Sequence, residues 1–286
     1  MSTSFEHHTV RVKDIRMHYV RAGKGEPLVL LHGWPQNWAS WKRIIPVLSD
    51  HFTVIAPDMR GFGATSKAEA GYDTNNVADD IRELVGSLGF ERIFLAGHDW
   101  GAAVAYSYAA QFQQQVRKLA IFEMVLPGFG IMEEAMTPQP NGNFLWHMGF
   151  QSVPDIPFTL ISGREDLYLR WFFQTYAYDP SAITSTETEE YVQAMTNVGA
   201  LRAGLQYYQS YFTSAAQNAQ HKQHKLTIPV SAWAGEACLG PLTKQCLDMA
   251  ATDVTGGVIE RCGHWIGEER PDFVASQLVE FFGSGG

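Results

Sequence analysis

The sequence predicts an α/β protein: a mostly parallel sheet with helices on both faces, into which a helical segment is inserted. Three observations predict it. Short runs that are apolar throughout, PLVLLHG (27–33), FTVIAPD (52–58) and RIFLAG (92–97), read as strands buried on both faces. Helix-like stretches alternate with them, which implies right-handed crossovers in a doubly wound sheet. The alternation stops after residues 116–123 and resumes at 228–236.

In chain order, residues 9–12 and 15–20 read as two short strands around the hairpin-like break Lys13-Asp14. After the run at 27–33 comes a helix-like stretch at 39–48, then the run at 52–58. Residues 75–88 form an amphipathic helix, with Val77, Ile81, Leu84, Val85 and Leu88 on one face. The run at 92–97 leads into a small-residue helix near Trp100, and 116–123 is a further strand. Pro127, Gly128, Gly130, Pro138, Pro140 and Gly142 then break the chain. From about residue 144 to 219 there are helix signals and almost no strand signals, with the aromatic stretches RWFFQTYAY and LRAGLQYYQSYF. IPVSAWAGE (228–236), a helix at 242–249, the strand-like TGGVIER and a last helix at 271–282 complete the pattern. The expected organisation is a core domain from residues 1–125 and 226–286, with a helical lid at 126–225.

Bulk properties narrow the function. The 286 residues suit one α/β domain with an insertion, and 45% apolar residues suffice for a large core. A net charge of −9 with no basic stripe excludes nucleic acid as a partner. Cys238, Cys246 and Cys262 are odd in number and clustered late, so they form no disulfide framework and fit a reduced, cytoplasmic setting. Cys-x-x-Cys and His-rich metal spacings are missing, and His221 and His224 in HKQHK read as a solvated stretch. Neither a metal nor a cofactor is expected. The opening MSTSFEHHTVRVK lacks the apolar region of a signal peptide, and no apolar run approaches membrane-spanning length.

The chemistry concentrates in Gly97-His98-Asp99-Trp100-Gly101, between a strand and a small-residue helix. This is the strand–turn–helix context of a nucleophile elbow, with Asp where serine is usual. Asp99 would sit at a helix N-terminus, which favours its ionised form. A serine attacking an sp³ carbon would leave an ether that histidine and water cannot cleave. A carboxylate leaves an ester, which they can. Asp99 therefore points to alkyl substrates with a leaving group. The plain alternative is that Asp99 only caps the helix.

Leu31-His32-Gly33-Trp34-Pro35, Asp58-Met59-Arg60-Gly61-Phe62-Gly63-Ala64-Thr65, the Asp99 elbow and Cys262-Gly263-His264-Trp265 together resemble the α/β-hydrolase superfamily. The closest likeness is to its epoxide hydrolase and dehalogenase branch, and it runs over essentially the whole chain. The resemblance implies an oxyanion hole from the backbone N–H groups of Trp34 and Trp100, a cis Trp34–Pro35 bond, and His264 as general base on water. A histidine titrates near neutral pH, which suits that task.

The acid that orients the histidine is less direct. Many relatives carry it in a Gly-x-x-Asp pattern after a late strand, but this chain reads Gly235-Glu236-Ala237-Cys238, with Cys238 in place of the Asp. A subset of the family carries its acid after an earlier strand, which here ends at Glu123. Glu123 is therefore the expected acid, and Glu236 the second choice.

Typical epoxide hydrolases use two lid tyrosines to assist ring opening. The late one matches Tyr208, where Leu201, Leu205, Tyr208 and Phe212 fall on one helical face. At the early position His147 replaces the first tyrosine, and a small subgroup carries this His/Tyr pair with the relocated glutamate. Dehalogenases are the competing reading. Haloacetate dehalogenases resemble His-Asp-Arg-Gly-x-Arg at the elbow, whereas Trp100 and Ala103 stand in those places here. Haloalkane dehalogenases share the Asp-Trp pair, with Trp100 as a possible halide donor, but usually lack the lid tyrosine. The expected activity is conversion of a small apolar epoxide to a vicinal diol through an ester on Asp99. The alternatives are a haloalkane or haloacid dehalogenase, or a non-catalytic binding module on the same scaffold.

Overall fold

The computed structural model describes residues 5–138 and 145–283. Its strands are β1 (Glu6–Val12), β2 (Ile15–Ala22), β3 (Glu26–Leu31), β4 (Phe52–Pro57), β5 (Ile93–His98), β6 (Val116–Phe122), β7 (Val230–Gly235) and β8 (Val254–Ile259). They form one sheet in the order β1-β2-β4-β3-β5-β6-β7-β8. β2 runs antiparallel to both neighbours, and every other adjacent pair is parallel. This is the mostly parallel sheet that the apolar runs predict.

The core helices are α1 (Ile45–Leu48), α2 (Thr74–Ser87), α3 (Trp100–Gln111), and, after the insertion, α11 (Leu242–Ala250), α12 (Ile266–Glu269) and α13 (Pro271–Gly283). All six residues of β4 and of β5 are buried, because helices cover both faces. Side chains alternate across β3. Val29 and Leu31 join the apolar cluster under α2 and α3, while Leu28 and Leu30 join the opposite one under α1 and α13.

The single helix expected at 39–48 is a correction. The chain forms a 3₁₀ turn at Trp38–Trp41, capped by the Asn37 side chain, and then the one-turn α1. Pro46 lies in the first turn of α1. It has no N–H to donate back to the preceding turn, so a continuous helix cannot form.

Between β6 and β7 the described chain is helical: α4 (Ile131–Ala135), α5 (Trp146–Ser152), α6 (Ile156–Ile161), α7 (Glu165–Thr175), α8 (Ser185–Thr196), α9 (Ala200–Gln209) and α10 (Tyr211–His221). Of the expected breakers there, Pro140 and Gly142 lie outside the described residues, as does Phe144 at the start of the helical stretch. The segment docks on the core through buried polar contacts: Ser214 Oγ accepts from Thr74 N–H (3.1 Å) and Tyr207 donates to the Arg60 carbonyl (2.9 Å). Leu201, Leu205 and Tyr208 are buried as their spacing predicts, but Phe212 is 74% exposed. The helix restarts after Ser210, so the phase shifts and Tyr211 turns inward instead. No helix among the described residues is long and apolar enough to cross a membrane.

Candidate active site

Asp99 occupies the sharp turn between β5 and α3 with φ 52° and ψ −127°. Few residues other than glycine adopt positive φ, and it marks a strained elbow. Two glycines make room for it. A Cβ on Gly33 would lie 2.4 Å from the Asp99 Cβ, and one on Gly101 would lie 2.3 Å from the His32 carbonyl oxygen. The Asp99 side chain makes no capping bond to α3, so the cap reading fails. Its Oδ1 instead accepts from the backbone N–H of Trp34 at 2.8 Å, across the cis Trp34–Pro35 turn. Burial pushes the Asp99 carboxyl above its ordinary range, opposed by His264 and by the N–H groups of Trp100 and Trp34. The helix N-terminus alone therefore does not set its ionisation.

His264 stands in the loop after β8. Its Nε2 is 3.8 Å from Asp99 Oδ2, and its Nδ1 is 3.1 Å from Glu123 Oε2. The loop is held from three sides. His264 N–H donates to the Tyr176 carbonyl (2.7 Å), the His264 carbonyl pairs with His98 Nε2 (2.8 Å), and Glu269 accepts from the N–H groups of Gly263, Tyr178 and Asp179. Burial alone would lower the His264 pKa. The Glu123 hydrogen bond and the Asp99 and Glu123 charges outweigh it, and the net shift is upward.

Glu123 follows the last residue of β6 with φ 48°, and its side chain is fully buried. Oε1 accepts from Gly235 N–H at 2.6 Å, leaving Oε2 for His264. Glu236, the second choice, is exposed, and its backbone is taken up by Ile259. Cys238 lies against Glu123 and His264, one ligating atom of each within 4.8 Å of the others. Burial and the Glu123 charge hold its thiol well above the ordinary value.

One cavity reaches Asp99, Glu123, Cys238 and His264 and is lined besides by Trp34, Trp100, His147, Phe172, Tyr176 and Tyr208. Burial holds the Tyr208 hydroxyl well above its ordinary pKa, with the Asp99 charge adding to it and the Trp100 indole pulling back. The phenol stays protonated and able to donate. Burial lowers His147 to about 3, which keeps its imidazole neutral. Its Nδ1 pairs with the Tyr176 hydroxyl at 3.3 Å, and its ring lies 6.1 Å from that of Tyr208. No lysine or arginine lines the cavity among the described residues.

Tyr176 and Glu269 are the residues that sequence reasoning missed. Phe172 and Tyr176 lie four apart in an aromatic stretch, a spacing that puts them on one helical face, but the many aromatics there hide which face turns inward. Nothing in the sequence marks Glu269 as the acceptor for neighbouring backbone groups.

The alpha/beta hydrolase fold family matches residues 26–271, and the chain belongs to that family. Within it, the chain is 41% identical over 285 residues to a soluble epoxide hydrolase of Corynebacterium sp. (strain C12), covering 99% of each protein. Among solved structures it is similar to the epoxide hydrolase CorEH, with a TM-score of 0.90, 39% identity and coverage of 98% and 99% of the two chains. It is also similar to Cfl2 of Burkholderia cenocepacia, with a TM-score of 0.93, 37% identity and coverage of 97% and 96%.

Proposed function

We propose that this protein is an epoxide hydrolase that converts a small apolar epoxide to a vicinal diol through an ester on Asp99. The observation that carries this reading is the setting of the Asp99 carboxyl between a backbone donor and a histidine. Oδ1 receives the Trp34 N–H, while Oδ2 lies 3.8 Å from a histidine that is itself paired with a buried glutamate.

In the first step Tyr208 and His147 hydrogen-bond the epoxide oxygen. An Asp99 oxygen attacks one ring carbon and the C–O bond forms. The strained bond to the epoxide oxygen breaks with its electron pair, and that oxygen takes the Tyr208 proton. Solvent returns a proton to the phenolate. In the second step His264 Nε2 removes a proton from water, and the water oxygen attacks the ester carbonyl of Asp99. The N–H groups of Trp34 and Trp100 stabilise the tetrahedral oxyanion. The intermediate collapses, the diol oxygen takes the proton from His264, and the Asp99 carboxyl releases water's second proton to solvent, which restores its carboxylate. Glu123 orients the imidazole and stabilises its charged form. The helical segment 126–225 serves as the lid that carries Tyr208 and His147.

Relatives named as epoxide hydrolases support the reading. Among the described residues the cavity lacks a cation for a haloacid carboxylate, and Ala103 stands where such enzymes carry an arginine. The three free cysteines support a reduced, cytoplasmic setting.

The test removes the base. His264→Gln should form the ester and stall, and intact-mass measurement should find the whole mass of styrene oxide or an aliphatic epoxide added on the Asp99 peptide. Asp99→Asn should acquire nothing. A bromoalkane would add only its alkyl group, because halide departs. Labelling by bromoalkanes and by no epoxide would reject the epoxide reading and leave the nucleophile standing.

A further inference from the structure

Glu123, Cys238 and His264 form a constellation that the proposed hydrolysis does not fully use. One ligating atom of each lies within 4.8 Å of the other two. A carboxylate oxygen, a sulfur and an imidazole nitrogen are a donor set for zinc and its congeners, whose bonds of about 2.0–2.3 Å span donors roughly 3–4 Å apart. The Glu123 Oε2 to His264 Nδ1 separation of 3.1 Å is already near that span. All three side chains line the one cavity, so an ion can reach them from the side that substrate uses. The local charge favours a cation: Glu123 and Asp99 lie beside His264, and among the described residues no lysine or arginine lines the wall. Cys246 and Cys262 are fully buried elsewhere, which leaves Cys238 as the cysteine on this cavity.

We propose that Glu123, Cys238 and His264 form an inhibitory site for a thiophilic divalent cation such as Zn²⁺ or Cd²⁺. The inhibition rests on the reading of His264 as the base; the binding does not. On binding, the Cys238 thiol gives its proton to solvent and its sulfur bonds the ion. His264 Nδ1 donates its lone pair to the ion in place of its hydrogen bond to Glu123. The neutral imidazole then carries its one proton on Nε2, so it has no lone pair there to accept a proton from water. Attack by Asp99 on the epoxide does not pass through that nitrogen and proceeds. Hard, oxygen-seeking Mg²⁺ and Ca²⁺ gain little from a thiolate and an imidazole and should not compete.

The experiment uses the whole chain after treatment with a chelator. Titration with Cd²⁺ should raise the ultraviolet charge-transfer band of a cadmium–thiolate bond and saturate at one ion per chain. Cys238→Ala should lose the band and weaken binding by more than the ~10–100-fold that loss of an outer partner causes. In single-turnover runs with an epoxide, Zn²⁺ should let the Asp99 ester form and persist, while Mg²⁺ should not. Cys238→Ala should clear its ester in Zn²⁺ at its own metal-free rate. Absence of the band, or its survival in Cys238→Ala, overturns the site. A band accompanied by unchanged ester hydrolysis shows that His264 is not a ligand and overturns the inhibition. If no epoxide labels Asp99 at all, the proposed function fails, and the cadmium titration still decides the site.

Discussion

Asp99 and His264 face each other without a hydrogen bond: Oδ2 and Nε2 are 3.8 Å apart, beyond bonding distance. The histidine takes its firm partner on the other side, at Glu123. In the proposed mechanism this leaves Nε2 available to a water molecule rather than spent on Asp99.

This arrangement fixes a pH dependence. The Glu123 hydrogen bond and the nearby carboxylate charges raise the His264 pKa above its ordinary value against the opposing effect of burial. If His264 is the base as proposed, it works only when neutral, so ester hydrolysis in chelator-treated enzyme should fall as pH drops through that raised value. Glu123→Gln removes the charge that favours the protonated ring, so the acid limb should move to lower pH. The rate should also drop by roughly 10²–10⁴-fold. Single-turnover ester hydrolysis across pH checks both. An unmoved limb in Glu123→Gln, with loss of rate in Glu236→Gln, would place the acid at Glu236.

Tyr208 and His147 should act on ring opening alone. Tyr208→Phe should slow alkylation of Asp99 by about 10²-fold, within the usual range for a proton donor, and leave ester hydrolysis unchanged. Because burial holds His147 at about 3, its titration should leave no mark on the alkylation rate between neutral pH and pH 5. Rapid-quench measurement of the ester separates the steps. Unchanged alkylation with slow release in Tyr208→Phe would remove Tyr208 from ring opening.

Gly33→Ala tests the crowding at the elbow. Its new Cβ would sit 2.4 Å from the Asp99 Cβ, so the turn or the nucleophile must shift. A displacement near 1 Å commonly costs about 10²-fold in rate. Turnover should fall by at least that much while the far-ultraviolet circular dichroism stays native. Wild-type turnover would show that the turn can yield.

Glu268 predicts a change in stability with pH. It is buried, and its carboxylate accepts from Gln36 Nε2 (2.7 Å) and the Tyr191 hydroxyl (2.8 Å). Burial raises its pKa from 4.5 to about 7. A carboxyl whose folded pKa lies above its unfolded value contributes stability that is complete below the unfolded pKa and lost as pH rises through the folded one. The window here is pH 4.5 to about 7, and the loss is about 3 kcal/mol at most. Glu268→Gln keeps an acceptor for both donors and cannot ionise. It should match wild type in thermal unfolding at about pH 4, below the unfolded value, and exceed it at pH 8. Equal melting temperatures at pH 8 would show that the buried charge carries no penalty.

Much of this was legible in the sequence because it depends on local chemistry. Apolar runs with no polar alternation mark buried parallel strands, and all three became strands of the sheet. The elbow is readable because the glycines on both sides of Asp99 leave room for a sharp turn between a strand and a small-residue helix. What stayed hidden depends on contacts between distant segments. Phe212 has the spacing of a buried residue, but one break at Ser210 turns it outward. Tyr176 meets His147 only because the helices between β6 and β7 pack together, and periodicity does not encode that packing. Cys238 could be recognised as replacing an expected aspartate, but its proximity to Glu123 is a property of two neighbouring strand ends.

The bonds that hold the His264 loop also tie it to the chain just beyond α7. His264 N–H is bonded to the Tyr176 carbonyl, and Glu269 holds Tyr178 and Asp179 together with Gly263. Swinging this part of the helical segment off the sheet would break bonds worth about 1 kcal/mol each, and more where the carboxylate accepts. It would also pull the imidazole out of line with Asp99. In the proposed mechanism, water activation is therefore tied to the seating of these helices: a molecule opened on this side would have its base out of line until they seat again.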